Sequence, residues 1–171
     1  MVPELQTERL LLRALREEDL SAFAEFIADA TATRFVGGPG NRQNAWRRMA
    51  MFVGHWTLRG YGPWALEEKA TGRWVGYTGL WNPEGWPEPE LMWGLAVGSQ
   101  GRGYATEGAR RIRDYAYREL GWTTLTSNIN PANERSQGVA RRLGAVRERD
   151  IMIGEHPVGV YRHPGPNSIN A

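Results

Sequence analysis

A glycine-containing stretch in the middle of the chain could bind phosphate. It follows an apolar run, 91–97, that predicts a buried strand, and it opens a helical pattern that ends near Gly121. Such a turn directs free backbone N–H groups and the positive end of a helix dipole at one place. Gly101 and Gly103 lack a Cβ, so a pyrophosphate could approach the backbone there. We call this stretch the glycine turn; it consists of Gln100, Gly101, Arg102, Gly103, Tyr104, Ala105 and Thr106.

Two common phosphate-binding motifs do not fit the glycine turn. A P-loop requires Gly-Lys-Ser or Gly-Lys-Thr, which the chain does not contain. A Rossmann fingerprint requires a third glycine, where Thr106 stands, and an acidic residue about twenty positions on, where Gly121 and Trp122 stand. Taken alone, the stretch could equally be an ordinary corner between a strand and a helix.

A second polar pair opens the next predicted helix. Asn133 follows a strand and the turn at Asn130 and Pro131, and Ser136 lies three positions later. Alone, Asn133 is best interpreted as a helix N-cap and Ser136 as a packed residue.

Together these motifs resemble the GNAT superfamily of acetyl-coenzyme A-dependent N-acetyltransferases. The glycine turn is similar to the superfamily signature Q/R-x-x-G-x-G/A, and Asn133 with Ser136 matches the N-x-x-S of one branch. That branch contains the ribosomal-protein (RimJ/RimL-type) and aminoglycoside N-acetyltransferases. Its opening T-E-R-L-x-L-R resembles residues 7–13, and the likeness covers about 5–163.

The resemblance implies a role for each of these positions. The backbone of Leu95 and Val97 would pair with the pantetheine arm of coenzyme A, and the N–H groups of 101–106 would hold its pyrophosphate. Asn133 would hydrogen-bond the pantetheine, and Ser136 would donate to the departing thiolate. The implied cofactor-binding set is Leu95, Val97, Gln100, Gly101, Arg102, Gly103, Tyr104, Ala105, Thr106 and Asn133.

Four positions depart from the pattern of the relatives. Gln100 replaces the usual tryptophan of the branch, although glutamine fits the first signature position of the wider superfamily. Ala140 stands where many relatives outside this branch carry a tyrosine general acid, which leaves Ser136 or water for that role. Met92 replaces a glycine and could reshape the acceptor side, and Ala145 replaces an aromatic residue.

Glu90, at the head of the cofactor strand, is the candidate general base. An amine must be neutral to attack a thioester, and this branch would place the carboxylate at this position. A charge that only attracts the substrate, or a solvated residue at a loop exit, are the alternatives. His55, His156 and His163 are weaker candidates, and His55 is best interpreted as a packing residue.

The eight tryptophans divide into two main groups. Trp46, Trp56, Trp64 and Trp74 fit the faces of core elements. The second group lies near Glu90, on and around a proline-rich loop, and could line an acceptor groove: Trp81, Trp86 and Trp93. For Trp93, packing in the core is an equally good interpretation. With Glu84 and Glu88 nearby, such a groove would suit a cationic amine.

Composition limits the class of protein. The chain has 171 residues and no cysteine, so it can form neither disulfides nor a thiolate nucleophile, and its three scattered histidines do not form a metal set. No apolar run reaches the ~18 residues of a membrane span and nothing resembles a signal peptide, so a cytoplasmic protein is expected. The net charge of +2 is carried by scattered arginines, and no nucleic-acid partner is expected.

Periodicity and turn residues predict a single mixed-sheet α/β domain with the order β-α-α-β-β-β-α-β-α-β-β. In the second helix, the apolar positions expected to face the core are Trp46, Met49, Val53 and Trp56. The domain is expected to span 5–163, followed by a loose tail at 164–171. The strands are expected at about 7–13, 63–68, 74–80, 91–97, 123–129, 149–153 and 158–162, and the helices at about 20–30, 43–58, 105–120 and 133–143.

The expected function is direct transfer of an acetyl group from acetyl-CoA to a primary amine in a ternary complex. The α-amine of a protein or peptide is the favoured acceptor. The alternatives are a small-molecule acceptor, such as an aminoglycoside or polyamine, and a non-catalytic acyl-CoA sensor. Acetyl-CoA and the amine are the expected partners of a monomer or homodimer.

Overall fold

One eight-stranded sheet organises the chain in the computed structural model, which describes residues 1–169. Its order is β1-β2-β3-β4-β5-β6-β8-β7, and every neighbouring pair is antiparallel except β5 with β6, which is parallel. The strands are β1 Leu5–Gln6, β2 Leu10–Arg13, β3 Pro63–Glu68, β4 Arg73–Trp81, β5 Glu90–Leu95, β6 Thr126–Ile129, β7 Val146–Ile153 and β8 His156–Arg162.

Helices cover both faces of this sheet. Apolar residues of α1 and α3 form one core with Ala65 and Tyr77, and those of α4 and α5 form the other with Trp64 and Leu66. Successive residues of β3 therefore serve opposite cores, as the two-residue period of a strand requires. The helices are α1 Leu20–Ala28, α2 Ala30–Thr33, α3 Arg42–Arg59, α4 Tyr104–Arg118, α5 Glu134–Arg142 and α6 Pro166–Ile169.

The predicted fold class and order of elements are confirmed, with three short additions. Segments such as β1, α2 and α6 contain two to four residues, which is too few to show a period. Some boundaries also differ. The predicted strand 91–97 ends at Leu95, because residues Val97–Ser99 form a 3-10 turn, and β6 begins at Thr126 rather than 123.

The face of α3 that packs against the core was predicted wrongly in part. The helix buries Ala45, Met49, Phe52 and His55, whereas the side chains of Trp46 and Val53 are 53% and 48% exposed. Apolar residues occur on more than one side of this helix, so its spacing alone does not identify the inner face. Trp56, also expected to face the core, is partly buried and packs edge-on against Trp64.

His55 is a packing residue, as the sequence indicated. Its Nε2 accepts from the N–H of Asn82 at 3.1 Å, so its Nδ1–H donates to the carbonyl of Tyr61 at 2.7 Å. The ring stacks on Trp81 with centroids 4.6 Å apart. Burial lowers the pKa of His55, which keeps the imidazole neutral.

β5 and β6 pair only at their first residues and then separate. Glu90 is in register with Thr126, and no later residue of β5 within the described chain pairs with β6. Ser127 bridges the start of this gap: its hydroxyl donates to the carbonyl of Leu91 at 2.6 Å and lies 2.9 Å from Nε2 of His163. The gap therefore begins in the middle of the sheet, at the first residues of β5, the strand that precedes the glycine turn.

The first residues of the tail that was expected to be loose at 164–171 make contacts with α4. The hydroxyl of Tyr117 donates to the carbonyl of Pro164 at 3.0 Å, and α6 packs against α4. The preceding His163 is buried, and burial lowers its pKa to about 3. Residues 170 and 171 of the expected tail lie outside the described part of the chain.

Candidate active site

The glycine turn has the backbone geometry that its sequence predicts. Gly101 and Gly103 have φ angles of +75° and +86°, a region that favours glycine, and Gly103 is the N-cap of α4. The first N–H groups of a helix have no intrahelical acceptor. A Cβ added at Gly101 would find no heavy atom within 4 Å, so this side of the turn is open. The turn can therefore present several N–H donors to an anion.

Residues from the start of the chain brace the turn from outside. Arg9 donates through Nη1 to the carbonyl of Arg102 at 2.9 Å and pairs with Glu107 of α4 at 2.6 Å. Thr7 donates to the same carboxylate at 2.6 Å. Although burial opposes it, hydrogen bonds from Thr7 and Arg9 lower the pKa of Glu107. The opening motif of the chain, at residues 7–13, thus contacts the glycine turn and the start of α4, which lie nearly a hundred residues later in the sequence.

Side chains of the glycine turn bind to the protein itself. The hydroxyl of Tyr104 donates to Glu68 of β3, and Arg102 lies 3.3 Å from the same carboxylate. The hydroxyl of Thr106 accepts from Arg142 of α5 at 3.3 Å, and Ala105 is buried. The backbone of these four residues therefore remains as their means of holding an anion.

Gln100 already has partners for both ends of its amide. Its Nε2 donates to the carbonyl of Leu95 at 3.1 Å, and its Oε1 accepts from Arg135 of α5 at 2.6 Å. In this structure the side chain joins β5 to α5 across the turn.

Alternate residues of β5 direct their backbone groups toward the gap beside β6. The carbonyls of Leu91 and Leu95 do so, since they accept from Ser127 and Gln100. Trp93 lies between them and has the same orientation by the alternation of an antiparallel ladder. Val97, which was expected to share this role, lies beyond β5, and its carbonyl accepts from the N–H of Gln100. The extended edge therefore stops at Leu95.

A cleft of about 630 Å³ opens on the α1–α3 side of this gap. We call it the Glu90 cleft. Its walls come from parts of the chain between residues 34 and 158, and the glycine turn is not among them. It brings together three of the predicted catalytic and cofactor-binding residues, Glu90, Asn133 and Ser136.

Glu90 is a buried carboxyl with three neutral donors. The indole N–H of Trp86 donates at 2.8 Å, and Asn128 donates through its backbone N–H and its Nδ2, each at 3.1 Å. Burial raises the pKa of Glu90 to about 7, and these hydrogen bonds only partly oppose the change. A carboxyl with this pKa can take up or release a proton near neutral pH.

Asn128 is a site residue that the sequence analysis missed. While its N–H groups hold Glu90, its Oδ1 is buried and has no hydrogen-bond partner among residues 1–169. Buried polar atoms are nearly always paired, so unpaired ones concentrate at functional sites. Asparagine is unfavourable inside strands, and its position within β6 was the available signal.

Asn133 and Ser136 start α5 at the edge of the Glu90 cleft. Asn133 is the N-cap, and its Oδ1 accepts from the N–H of Ser136 at 3.1 Å. The hydroxyl of Ser136 accepts from the indole N–H of Trp93 at 3.3 Å, which leaves its own proton available to another group. Ala140 is fully buried in the same helix and contributes no acid.

Tyr77 is the one tyrosine among the described residues of the cleft wall. Burial raises the pKa of Tyr77 to about 12, so its hydroxyl stays protonated near neutral pH. A Cβ at Gly94 of β5 would lie 2.6 Å from the Tyr77 ring, so the tyrosine packs directly on that glycine.

The expected tryptophans line the cleft, but the acidic residues that were expected beside them do not. Trp81, Trp86 and Trp93 all line the Glu90 cleft. Glu88 instead pairs with Arg149 and Arg162, and Glu84 pairs with Arg59, so neither carboxylate lines it. The wall contains two arginines and His156 from the β7–β8 hairpin; the arginines are Arg34 and Arg48.

Within residues 1–169, no three His, Asp or Glu side chains are arranged to hold a metal ion. No helix in that part of the chain is long and apolar enough to cross a membrane.

Comparison with known proteins identifies the family. The model of the acetyltransferase (GNAT) domain matches residues 9–146. The chain belongs to the GNAT acetyltransferase family. It is 34% identical to an acetyltransferase from Agrobacterium tumefaciens, with a TM-score of 0.87 over 95% of both chains. GNAT enzymes use acetyl-CoA as co-substrate, and this chain is accordingly an acetyl-CoA-dependent N-acetyltransferase.

More distant solved structures share the fold of this GNAT chain. One is the ribosomal L7/L12 alpha-N-protein acetyltransferase RimL, with 16% identity and a TM-score of 0.79 over 96% of this chain and 95% of the other. Another is the aminoglycoside acetyltransferase AAC(6')-Ib in complex with coenzyme A, with 14% identity and a TM-score of 0.78 over 94% and 97%. Both types of enzyme belong to the branch that the sequence motifs resemble.

Proposed function

We propose that this GNAT enzyme acetylates the α-amine of a protein or peptide by direct attack in a ternary complex, in the Glu90 cleft. The observation that carries this proposal is Glu90 itself, a cleft carboxyl with a pKa of about 7 and only neutral donors around it. No cysteine is available as a covalent acyl carrier, which supports direct transfer.

The residues around the glycine turn suit coenzyme A. The N–H groups of 101–106 lie at an open helix N-terminus and would hold its pyrophosphate. Trp93 and Leu95 would offer backbone groups along the gap to the pantetheine, as an added strand would use them. Asn133 would donate through Nδ2, since its Oδ1 is used in capping. Bound acetyl-CoA supplies the thioester carbonyl that an amine can attack.

Glu90 acts as the base for the acceptor amine. A lysine side chain with a pKa of ~10.4 costs about 4.6 kcal/mol to deprotonate at pH 7, whereas an α-amine with a pKa of ~8 costs about 1.4 kcal/mol. A carboxylate with a pKa of about 7 is matched to the second amine far better than to the first. This difference favours an α-amine over a lysine side chain.

Ser136 acts as the proton donor to the departing sulfur. The indole N–H of Trp93 donates to its oxygen, which orients the hydroxyl and leaves the hydroxyl proton free. A thiol has a pKa of ~8.5, so its anion leaves without full protonation. The serine therefore assists the reaction and is not indispensable.

A thiol-release assay over a panel of acceptors tests the proposal. Release of free coenzyme A is expected with peptides that have a free N-terminus, and it should fall sharply when that amine is blocked. If aminoglycosides or polyamines cause release of free coenzyme A and no peptide does, the acceptor is a small molecule and not a peptide α-amine. Binding of acetyl-CoA without release by any amine would identify a sensor. Glu90→Gln is the matched variant, because it keeps the shape of the side chain and removes the base.

A further inference from the structure

The charges on the wall of the Glu90 cleft are predominantly positive. Arg34 and Arg48 line it, and Glu90 is the single carboxyl among its described wall residues. No carboxylate of residues 1–169 lies within 4.0 Å of either guanidinium, whereas Arg9, Arg102, Arg149 and Arg162 each pair with a glutamate. Two unpaired guanidinium groups in a cleft favour an anionic ligand.

Arg48 is held in place without using its charge. It donates through Nη1 to the carbonyl of Val36 at 2.7 Å, which is a neutral acceptor. Gly37 has a φ of +101°, and a Cβ there would lie 2.6 Å from Nη2 of Arg48. The loop between α2 and α3 therefore has a glycine where the guanidinium of Arg48 needs the space. Arg34 begins the same loop at the end of α2; it is exposed, and its guanidinium lies over the ring of Phe35, 5.1 Å from the ring centroid.

The acidic side chains of the adjoining segments make their hydrogen bonds and ion pairs with groups other than these two arginines. Asp29 caps α2 through the N–H groups of Thr31 and Ala32. Glu84 and Glu88 pair with arginines outside the cleft wall. An acceptor with a second positive charge, such as a polyamine, would meet this uncompensated charge and be repelled.

We infer that the acceptor carries a carboxylate close to its reactive amine, and that Arg34 and Arg48 bind this carboxylate while the amine faces Glu90. The inference rests on the proposed function, since it names the chemistry of the acceptor at that site. The carboxylate can come from an acidic side chain next to a peptide N-terminus, or from the free C-terminus of a short peptide or amino acid.

Three dipeptide acceptors separate these sources. Alanyl-glutamine amide is neutral beyond its amine, alanyl-glutamate amide adds a side-chain carboxylate, and alanyl-glutamine free acid adds a terminal one. The kcat/KM of the wild-type enzyme is expected to be about tenfold or more higher for at least one acidic probe than for the neutral probe. Added salt should reduce this preference.

Substitutions of Arg34 and Arg48 test whether these two residues cause the preference for acidic probes. Arg48→Gln and Arg34→Gln should each raise the KM for the acidic probe and leave the neutral probe and acetyl-CoA unchanged. Arg48→Lys should keep part of the preference, because it retains the charge but not the two-pronged geometry. Arg47→Gln is the control, since Arg47 is exposed on the same helix and does not line the cleft.

Binding of the N-acetylated dipeptides in the presence of coenzyme A gives a second readout that needs no turnover. If these products bind with the acid preference while no amine is acetylated, the proposed function fails and the anion site stands. Equal affinity and equal kcat/KM for acidic and neutral probes would overturn the inference. A preference that survives in the Arg34→Gln/Arg48→Gln double variant, or a rise in the acetyl-CoA KM alone, would also overturn it.

Discussion

The glycine turn and the Glu90 cleft are built in opposite ways. The turn is one continuous stretch. Its own Arg102 pairs with Glu68, and the neighbouring Arg9 pairs with Glu107. The cleft is assembled from distant parts of the chain, and its arginines have no carboxylate partner among the described residues. A turn proposed to hold the same cofactor in every cycle is fixed by internal contacts. A cleft proposed to select an acceptor leaves its charges available to that acceptor.

The largest effect is expected on the cleft side, from Glu90→Gln. Loss of the base should lower kcat by roughly 10²- to 10⁴-fold with little change in the acetyl-CoA KM. In the wild type, kcat/KM should rise with pH through about 7 as the carboxyl loses its proton. In the variant, high pH should recover much of the rate, because the amine then deprotonates in solution. Kinetics across a pH series provide the measurement.

Glu84→Gln is the control, because Glu84 is exposed and lies outside the cleft wall. If Glu90→Gln instead raises only the acceptor KM, with a stronger salt dependence, Glu90 attracts the substrate and is not the base.

The next effect is expected in the glycine turn, from Gly103→Val. The substitution places a branched side chain at a φ of +86°, with a Cβ 3.2 Å from Nη2 of Arg9. It should raise the Kd for acetyl-CoA by about 100-fold, equal to about 3 kcal/mol, while the chain remains folded. Calorimetric titration measures the affinity. Gly98→Val is the matched control, because Gly98 lies in the preceding 3-10 turn with open space around it. Normal affinity in a folded Gly103→Val protein would contradict the proposed cofactor site.

Asn133→Asp should have a smaller effect at the boundary between the two regions. An aspartate keeps the cap on the N–H of Ser136 but loses the Nδ2 donor proposed for the pantetheine. The acetyl-CoA KM is expected to rise about tenfold, because a tenfold change equals about 1.4 kcal/mol and one hydrogen bond contributes up to about 1.5 kcal/mol. Unfolding curves should be nearly unchanged. If both quantities stay at wild-type values, Asn133 is only a cap.

The smallest effect is expected from Ser136→Ala. A thiolate with a pKa of ~8.5 leaves without full protonation, so kcat should fall only about two- to fivefold. The acetyl-CoA KM should hardly change, and steady-state kinetics at saturating acceptor measure both values. A large rise in that KM with kcat intact would mean that Ser136 binds the cofactor instead of protonating it.

The same contrast explains how much the sequence could predict. The glycine turn depends on neighbouring residues, because Gly101 and Gly103 must adopt left-handed angles next to a helix start. Local patterns report such geometry, and they also predicted the strand and helix order. Glu90 and Ser136 were found through the family resemblance, and the structure places both in one cleft.

The rest depends on contacts between residues far apart in the chain. No local pattern shows that Thr7 and Arg9 meet Glu107, or that Asn128 holds Glu90. The pairing of Glu88 with Arg149 and Arg162 is also a tertiary event. An acidic loop therefore suggested a cationic acceptor, whereas the folded cleft presents arginines.

The burial of Glu90 also has a consequence for folding. Its pKa rises from 4.5 to about 7 in the folded chain, so the native state binds this proton more tightly than the unfolded chain does. This group therefore costs no stability below pH 4.5, and its cost grows to on the order of 3 kcal/mol as the pH rises to about 7. Mild acidification should stop the proposed base and at the same time relieve this cost. Activity lost at pH 5 through this one carboxyl should return on neutralisation, because protonating it strengthens the fold.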